Sequence, residues 1–197
     1  MLNFNKDSAI IVLYKLTQVL KKHNVRYWLQ DGTLLGYYRE NDLISHDNDT
    51  DIGVFWSDIK STEVFLEILN SGFTLYKIKG YMHDSLMLTF ICDDQKVDIF
   101  FYYKTKNKVY HTALGKHWQV VNYEYDYFDV KEIEFLGYKF YVPEDELKFI
   151  KTKYGADWHI PKPKWDNING PVNATPSNVY LDIKKCKKAF RTWLKGK

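Results

Sequence analysis

Two cysteines in 197 residues, Cys92 and Cys186, are too few for a disulfide scaffold, and no zinc-type His/Cys spacing accompanies them. A reducing compartment is the default for such a chain. Long apolar runs are missing too: "AIIVLY" at 9–14 and "IFFYY" at 99–103 fall well short of the roughly 18 residues a membrane-spanning helix needs. The first residues show no basic segment leading into an apolar stretch and cleavage site. These absences predict a soluble cytoplasmic protein. Charge of one sign is scarce as well, with Lys+Arg 28 against Asp+Glu 25. That balance argues against a nucleic-acid partner. Repeats and low-complexity tracts are absent.

What is abundant is aromatic. The chain holds 16 Tyr, 12 Phe and 6 Trp, and 45% of its residues are hydrophobic, enough to bury the core of one compact domain. Such a surplus suits either stacking surfaces or a Tyr-rich core. Positive charge collects at one end, where Lys184, Lys185, Lys187, Lys188, Arg191, Lys195 and Lys197 face a single Asp182. This basic helix reads either as a solvated face or as one that meets phosphates or an anionic membrane surface from the cytoplasmic side.

Apolar residues at Ala9, Val12, Leu13, Leu16, Val19 and Leu20 predict a helix over 8–23, capped by Asp7 or Ser8. "VRYWLQ" (25–30) and "DIGVFW" (51–56) read as strands, separated by a turn at Asp31-Gly32 and a short helix "TLLGYY". A helix capped by Ser57 or Ser61 runs through Leu69 and stops at Gly72. "FTLYKIKG", "SLMLTFIC" and "VDIFFYY" form antiparallel strands, and "KVYHTAL", "HWQVVNY" and "EIEFLGYKFYV" continue the strand-rich section. Pro143 is expected to open a helix through about Tyr154, and residues 155–177, holding the other four prolines, to form a loop. The pattern is an α+β domain over 1–177, a mixed β-sheet flanked by helices with a coil-rich C-terminal segment, followed by the basic helix at 178–197.

Asp49 and Asp51 stand one residue apart at the start of a strand, so both carboxylates point to one side. A pair so placed can chelate a hard cation such as Mg²⁺, which takes a few carboxylate oxygens and completes its shell with substrate phosphates and water. Asp98 is the one charged group inside the apolar strand "VDIFFYY", and burial without a partner is costly, so it needs a cation or a cleft. A strand-Gly-Thr-helix turn ahead of three carboxylates is a device for holding phosphate and metal together.

The stretch "DGTLLGYYRENDLISHDNDTDIGV" resembles the motif of the LicD/fukutin family through Gly32, Thr33, Leu34, Leu35, Gly36, Arg39, Ile44, Asp47, Asp49, Asp51 and Ile52. "VDIF" at 97–100 resembles the family's third carboxylate strand, and residues 137–166 its C-terminal element. Ser45 and His46 stand where Pro-Trp is usual, and Asn48 replaces an acidic residue. The resemblance implies a nucleotidyltransferase-like fold. It also implies Mg²⁺-dependent, or Mn²⁺-dependent, transfer of a phospho-alcohol (phosphocholine, ribitol phosphate or glycerol phosphate) from a CDP-activated alcohol donor to a glycan or glycolipid acceptor, with release of CMP. Under it Asp49, Asp51 and Asp98 form the metal site, and Asp98 also orients the acceptor hydroxyl. Gly32 admits phosphate to the backbone, Thr33 adds a hydroxyl donor, and Arg39 clamps a phosphate or makes an ordinary surface ion pair. Gly36 and Asp47 complete the motif. His46 reads either as an acid-base group or as a hydrogen-bonded structural one, and Trp158, His159 and Lys162 either as a seat for a cytidine or sugar ring or as ordinary packing. A nucleotidyltransferase moving NMP from an NTP, or a non-catalytic glycan-binding relative, are the alternative readings.

Overall fold

The computed structural model describes residues 4–196; Lys197 of the basic tail and the first three residues of the 1–177 unit lie outside the described residues. Helix α1 (Lys6–Lys22) is capped by Asn5, whose side chain accepts the Ser8 N–H at 2.9 Å, one turn earlier than the predicted caps. Its buried stripe is wider than periodicity alone requires, adding Ile10 and Thr17, because the helix packs against the sheet, a second helix and a hairpin at once. A short strand β1 (Tyr27–Leu29) leads straight into α2 (Asp31–Glu40), so the helix starts at Asp31 itself, with φ +45° there.

Strand β2 (Thr50–Phe55) pairs antiparallel with β1 and parallel with β5 (Gln95–Lys104). Helix α3 (Glu63–Asn70) follows β2 and begins after Thr62 without a side-chain cap; the Ser61 hydroxyl accepts the Glu63 N–H at 3.3 Å instead. The strands β3 (Thr74–Lys79), β4 (Met87–Cys92) and β5 form an antiparallel meander whose last turn places Asp93 and Asp94 at φ +47° and +60°. Both central residues of a tight hairpin need positive φ, and short acidic side chains tolerate it. Strands β6 (Lys108–Leu114) and β7 (Gln119–Asp126) extend the sheet from the far end of β5. The eight-stranded sheet therefore divides at β5, with β4 and β3 leaving on one branch and β6, β7 and a late edge strand on the other.

The strand-rich section continues as expected through "EIEFLGYKFYV", which folds into a hairpin, β8 (Val130–Phe135) and β9 (Tyr138–Pro143), about Leu136 and Gly137, both at positive φ. Two expectations are overturned. Pro143 ends β9 rather than opening a helix; Asp145 caps α4 (Glu146–Tyr154) by accepting the Lys148 N–H at 2.9 Å. A cap with an acceptor side chain satisfies a donor that proline two residues earlier cannot reach. The predicted loop 155–177 and the first residues of the predicted 178–197 helix instead supply β10 (Ala174–Tyr180), which adds to β7 as an edge strand, where Pro176 is tolerated beside a register shift. The closing helix α5 (Ile183–Leu194) is capped by Asp182.

The aromatic surplus is core. Trp28, Tyr27, Tyr102, Tyr123, Phe55, Phe65, Phe90 and Phe101 are among the largest fully buried side chains. Among the described residues no helix is long and apolar enough to cross a membrane.

Candidate active site

A cleft of about 520 Å³ opens over β2, β5 and β6, roofed by the N-terminus of α2, by α4 and by the coil after it. Its chemistry starts from strand register. Asp51 and Asp98 are direct partners across the parallel β2–β5 pair, and Asp49 lies two residues before Asp51, so alternation brings the three carboxylates to one wall. Asp47 joins them from the preceding loop, next to Gly32; a side chain added to Gly32 would meet the Asp47 carboxylate at 2.4 Å. The helix start and the acidic loop can approach this closely only without a β-carbon.

Crowding shows in the protonation equilibria. Burial, and then Asp49, Asp31, Asp98 and Asp47, hold Asp51 well above the ordinary carboxylate range. Burial pushes Asp98 up to about 6, with Asp49 adding to it, and its Oδ1 is buried without a hydrogen-bond partner. Asp47 is likewise raised to about 6 by burial and by Asp49. Burial raises Asp49 as well, against the pull of Lys96 and Lys77. Four carboxylates that resist ionisation on one wall are a set of oxygens that could hold a cation.

Of the residues singled out in the sequence, Asp49, Asp51, Asp98, Gly32, Arg39, His46, Asp47, Trp158 and Lys162 all line this cleft. Arg39 is paired with Glu40 at 2.5 Å and Lys162 with Asp157 at 2.6 Å, while Trp158 sets its ring 5.4 Å from Tyr38. Three others do not line it. Thr33 is buried and its hydroxyl accepts the Asp51 N–H at 2.8 Å, so it anchors the start of β2 instead of facing the cleft. Gly36 packs under the loop after α2, where a β-carbon would sit 2.5 Å from the Asp42 carbonyl oxygen. His159 is exposed beside Trp158, its ring 5.8 Å away, because the coil turns its side chain outward. Thr33→Val is expected to cost about 1–3 kcal/mol of stability, since it strands the Asp51 N–H. Chemical denaturation measures that loss, and an unchanged donor KM in the same variant separates strand anchoring from phosphate contact.

Residues not anticipated complete the cleft. Lys153 on α4 is buried and bridges to Asp31 at 2.5 Å, which draws Asp31 below its ordinary pKa although burial alone would raise it. His111 on β6 is buried, stacked on Tyr123 with ring centroids 4.8 Å apart, and burial lowers it to about 3, so it is neutral. Lys77 and Lys79, alternate residues of β3, supply cations from the far side. Signals for some of these were present: Lys153 falls four residues after Phe149 on the buried stripe of α4, and "YKIK" alternates Tyr76 and Ile78 with Lys77 and Lys79 at strand spacing.

The family described as "LicD/FKTN/FKRP, nucleotidyltransferase domain" matches residues 24–145, which include Gly32 and all four acidic residues of the wall. The chain belongs to the LicD/fukutin family. Its fold is accordingly a nucleotidyltransferase domain, and the expected α+β class holds. It is 33% identical over 177 residues to the protein named ribitol-5-phosphate transferase FKTN of Homo sapiens, covering 89% of this chain and 38% of that protein. It is also 30% identical over 165 residues to the uncharacterized protein RT0683 of Rickettsia typhi, covering 81% and 48%. The chain thus spans less than half the length of these relatives. Among solved structures, a lincosamide antibiotic adenylyltransferase, LnuA, aligns with TM-score 0.45 and 14% identity over 71% of this chain and 82% of its own.

Proposed function

We propose that this member of the LicD/fukutin family transfers a phospho-alcohol unit from a CDP-activated donor to a glycan or glycolipid hydroxyl, releasing CMP. The observation that carries the proposal is the shared wall of Asp49, Asp51 and Asp98 beneath the start of α2.

A divalent cation fits that wall by its chemistry. The donors are all carboxylate oxygens, the unpartnered Asp98 Oδ1 is an acceptor in want of a partner, and Mg²⁺ or Mn²⁺ suits such a set. Among the described residues no three His, Cys, Asp or Glu side chains already stand together closely enough to hold a metal. The bound ion supplies charge neutralisation for a diphosphate. The chain's own groups do the rest. Gly32 lets the backbone of α2 approach a phosphate, and Arg39, Lys77 and Lys79 offer cationic donors around it. Asp98 also faces the space where an acceptor hydroxyl would enter, and orients it with the carboxylate oxygen that the ion leaves free. Trp158 and Lys162 line the end of the cleft suited to a base or sugar ring beside a phosphate.

The test is a donor panel of CDP-ribitol, CDP-glycerol, CDP-choline and the four NTPs with Mg²⁺, assayed for CMP and for pyrophosphate. CMP formed from one CDP-alcohol, and abolished by EDTA, is the expected result. Pyrophosphate from an NTP overturns the proposal in favour of nucleotidyl transfer.

A further inference from the structure

Helix α5 is two-sided. Its inner face is spent on the fold: Cys186 and Phe190 are buried, and Phe190 and Trp193 set their rings 5.6 and 5.7 Å from Phe65. Its outer face carries Lys184, Lys187, Lys188, Arg191 and Lys195 in one stripe, all exposed, and none makes an ion pair among the described residues. Asp182, at the start of the helix, is already engaged by the N–H groups of Lys184 and Lys185 and by the Lys185 ammonium at 3.9 Å. Five uncompensated cations on a helix held rigidly from beneath form a docking face for an anion.

A second observation selects the kind of anion. Immediately before the helix, Val179 and Tyr180 are 54% and 61% exposed, and beside them Trp118 is 51% exposed. The strands hold the three together, since the Trp118 carbonyl accepts the Leu181 N–H at 3.1 Å and Tyr180 pairs with Gln119. Trp118 sits at φ +64° on the tight turn between β6 and β7, so the chain spends an unusual backbone conformation where a large ring stands in water. An indole, a phenol and a valine gain nothing from a soluble polyanion, but they partition into a headgroup layer.

We propose that Trp118, Val179, Tyr180 and the cationic face of α5 dock the protein on an anionic lipid bilayer. The apolar groups enter the interface and the cations lie against lipid phosphates. The surface adjoins the cleft: Leu181 and Cys186 pack with Leu114, and Leu114 lines the cleft wall. Docking therefore presents the cleft close to the bilayer, independently of which group the site transfers.

The experiment is co-sedimentation of the whole chain with vesicles of phosphatidylcholine plus phosphatidylglycerol, against pure phosphatidylcholine vesicles, at low and high salt. Binding confined to the anionic vesicles and weakened by salt is expected. The triple variant Lys187→Glu, Lys188→Glu, Arg191→Glu is expected to lower partitioning about a hundredfold or more. Trp118→Ala is expected to lower it several-fold, with the same melting temperature because the side chain is exposed. Equal binding to both vesicle types, or retention by the triple variant, overturns the proposal. Binding to soluble polyphosphate with none to anionic vesicles replaces the bilayer with a soluble polyanion.

Discussion

Asp51→Asn is expected to lower turnover at least about a hundredfold while leaving the chain folded, and more stable at neutral pH than the wild type. The activity loss follows the usual effect of removing one charge-stabilising group from a reaction centre. The stability gain follows from the carboxylate wall. A carboxyl whose folded pKa is raised binds its proton more tightly in the native state, so its ionisation opposes folding. The penalty is absent at pH values below the unfolded pKa and fully present above the folded one. For Asp98, raised from 3.8 to about 6, it sets in between those values and amounts to about 2–3 kcal/mol. Asp51, crowded by Asp49, Asp31, Asp98 and Asp47, is raised for the same reasons. Thermal melts across pH thus serve as the check. The gain of the variant over the wild type should grow as pH rises above the ordinary carboxylate range and vanish as pH falls below it. Mg²⁺ should raise the melting temperature of the wild type and lose most of that effect in Asp51→Asn. A variant that retains turnover, or is no more stable at pH 7 than at pH 4 relative to the wild type, removes Asp51 from the wall's chemistry.

Much of this wall was legible in the sequence because strands announce themselves by alternation. Asp49, Asp51 and Asp98 were readable as one group once "DIGVFW" and "VDIFFYY" were recognised as strands, since a charged residue in an otherwise apolar run needs a cleft. What failed was the assignment of individual contacts. Thr33 and Gly36 belong to the motif, yet one ties β2 to α2 and the other lets the following loop pack against the helix. A motif match identifies residues that the fold needs nearby, and does not separate those that touch substrate from those that shape the site. His159 went astray because a coil carries no periodicity from which to read direction. β10 was hidden by its proline, since only an edge position permits one and edges are defined by neighbours distant in sequence. The Asp31–Lys153 pair, 122 positions apart, could not be read from local pattern at all.

That pair carries the second large effect. Lys153→Met is expected to destabilise the protein by about 3–5 kcal/mol, because the Asp31 carboxylate is left enclosed without its cation. Both side chains are nearly buried, 5% and 13% exposed, so water cannot replace the lysine. Nor can His111, which burial keeps neutral. The pH dependence has the opposite sign to that of the carboxylate wall. Asp31 is held below its ordinary pKa, so its ion pair stabilises the fold above the unfolded value and is lost as pH falls through the folded one. The gap between wild type and Lys153→Met is therefore widest at neutral pH and narrows in acid, where Asp31 in the variant is protonated. The double variant Asp31→Asn, Lys153→Met should recover most of the loss, since no buried charge remains. Urea denaturation of the wild type, Lys153→Met and the double variant at two pH values measures all of this. A single variant that loses less than about 1 kcal/mol would reduce the pair to the weight of a surface salt bridge. A double variant as unstable as Lys153→Met would transfer the effect to the lost packing of the lysine stem against Tyr123 and Tyr154, whose rings lie 5.6 and 5.7 Å from its ammonium.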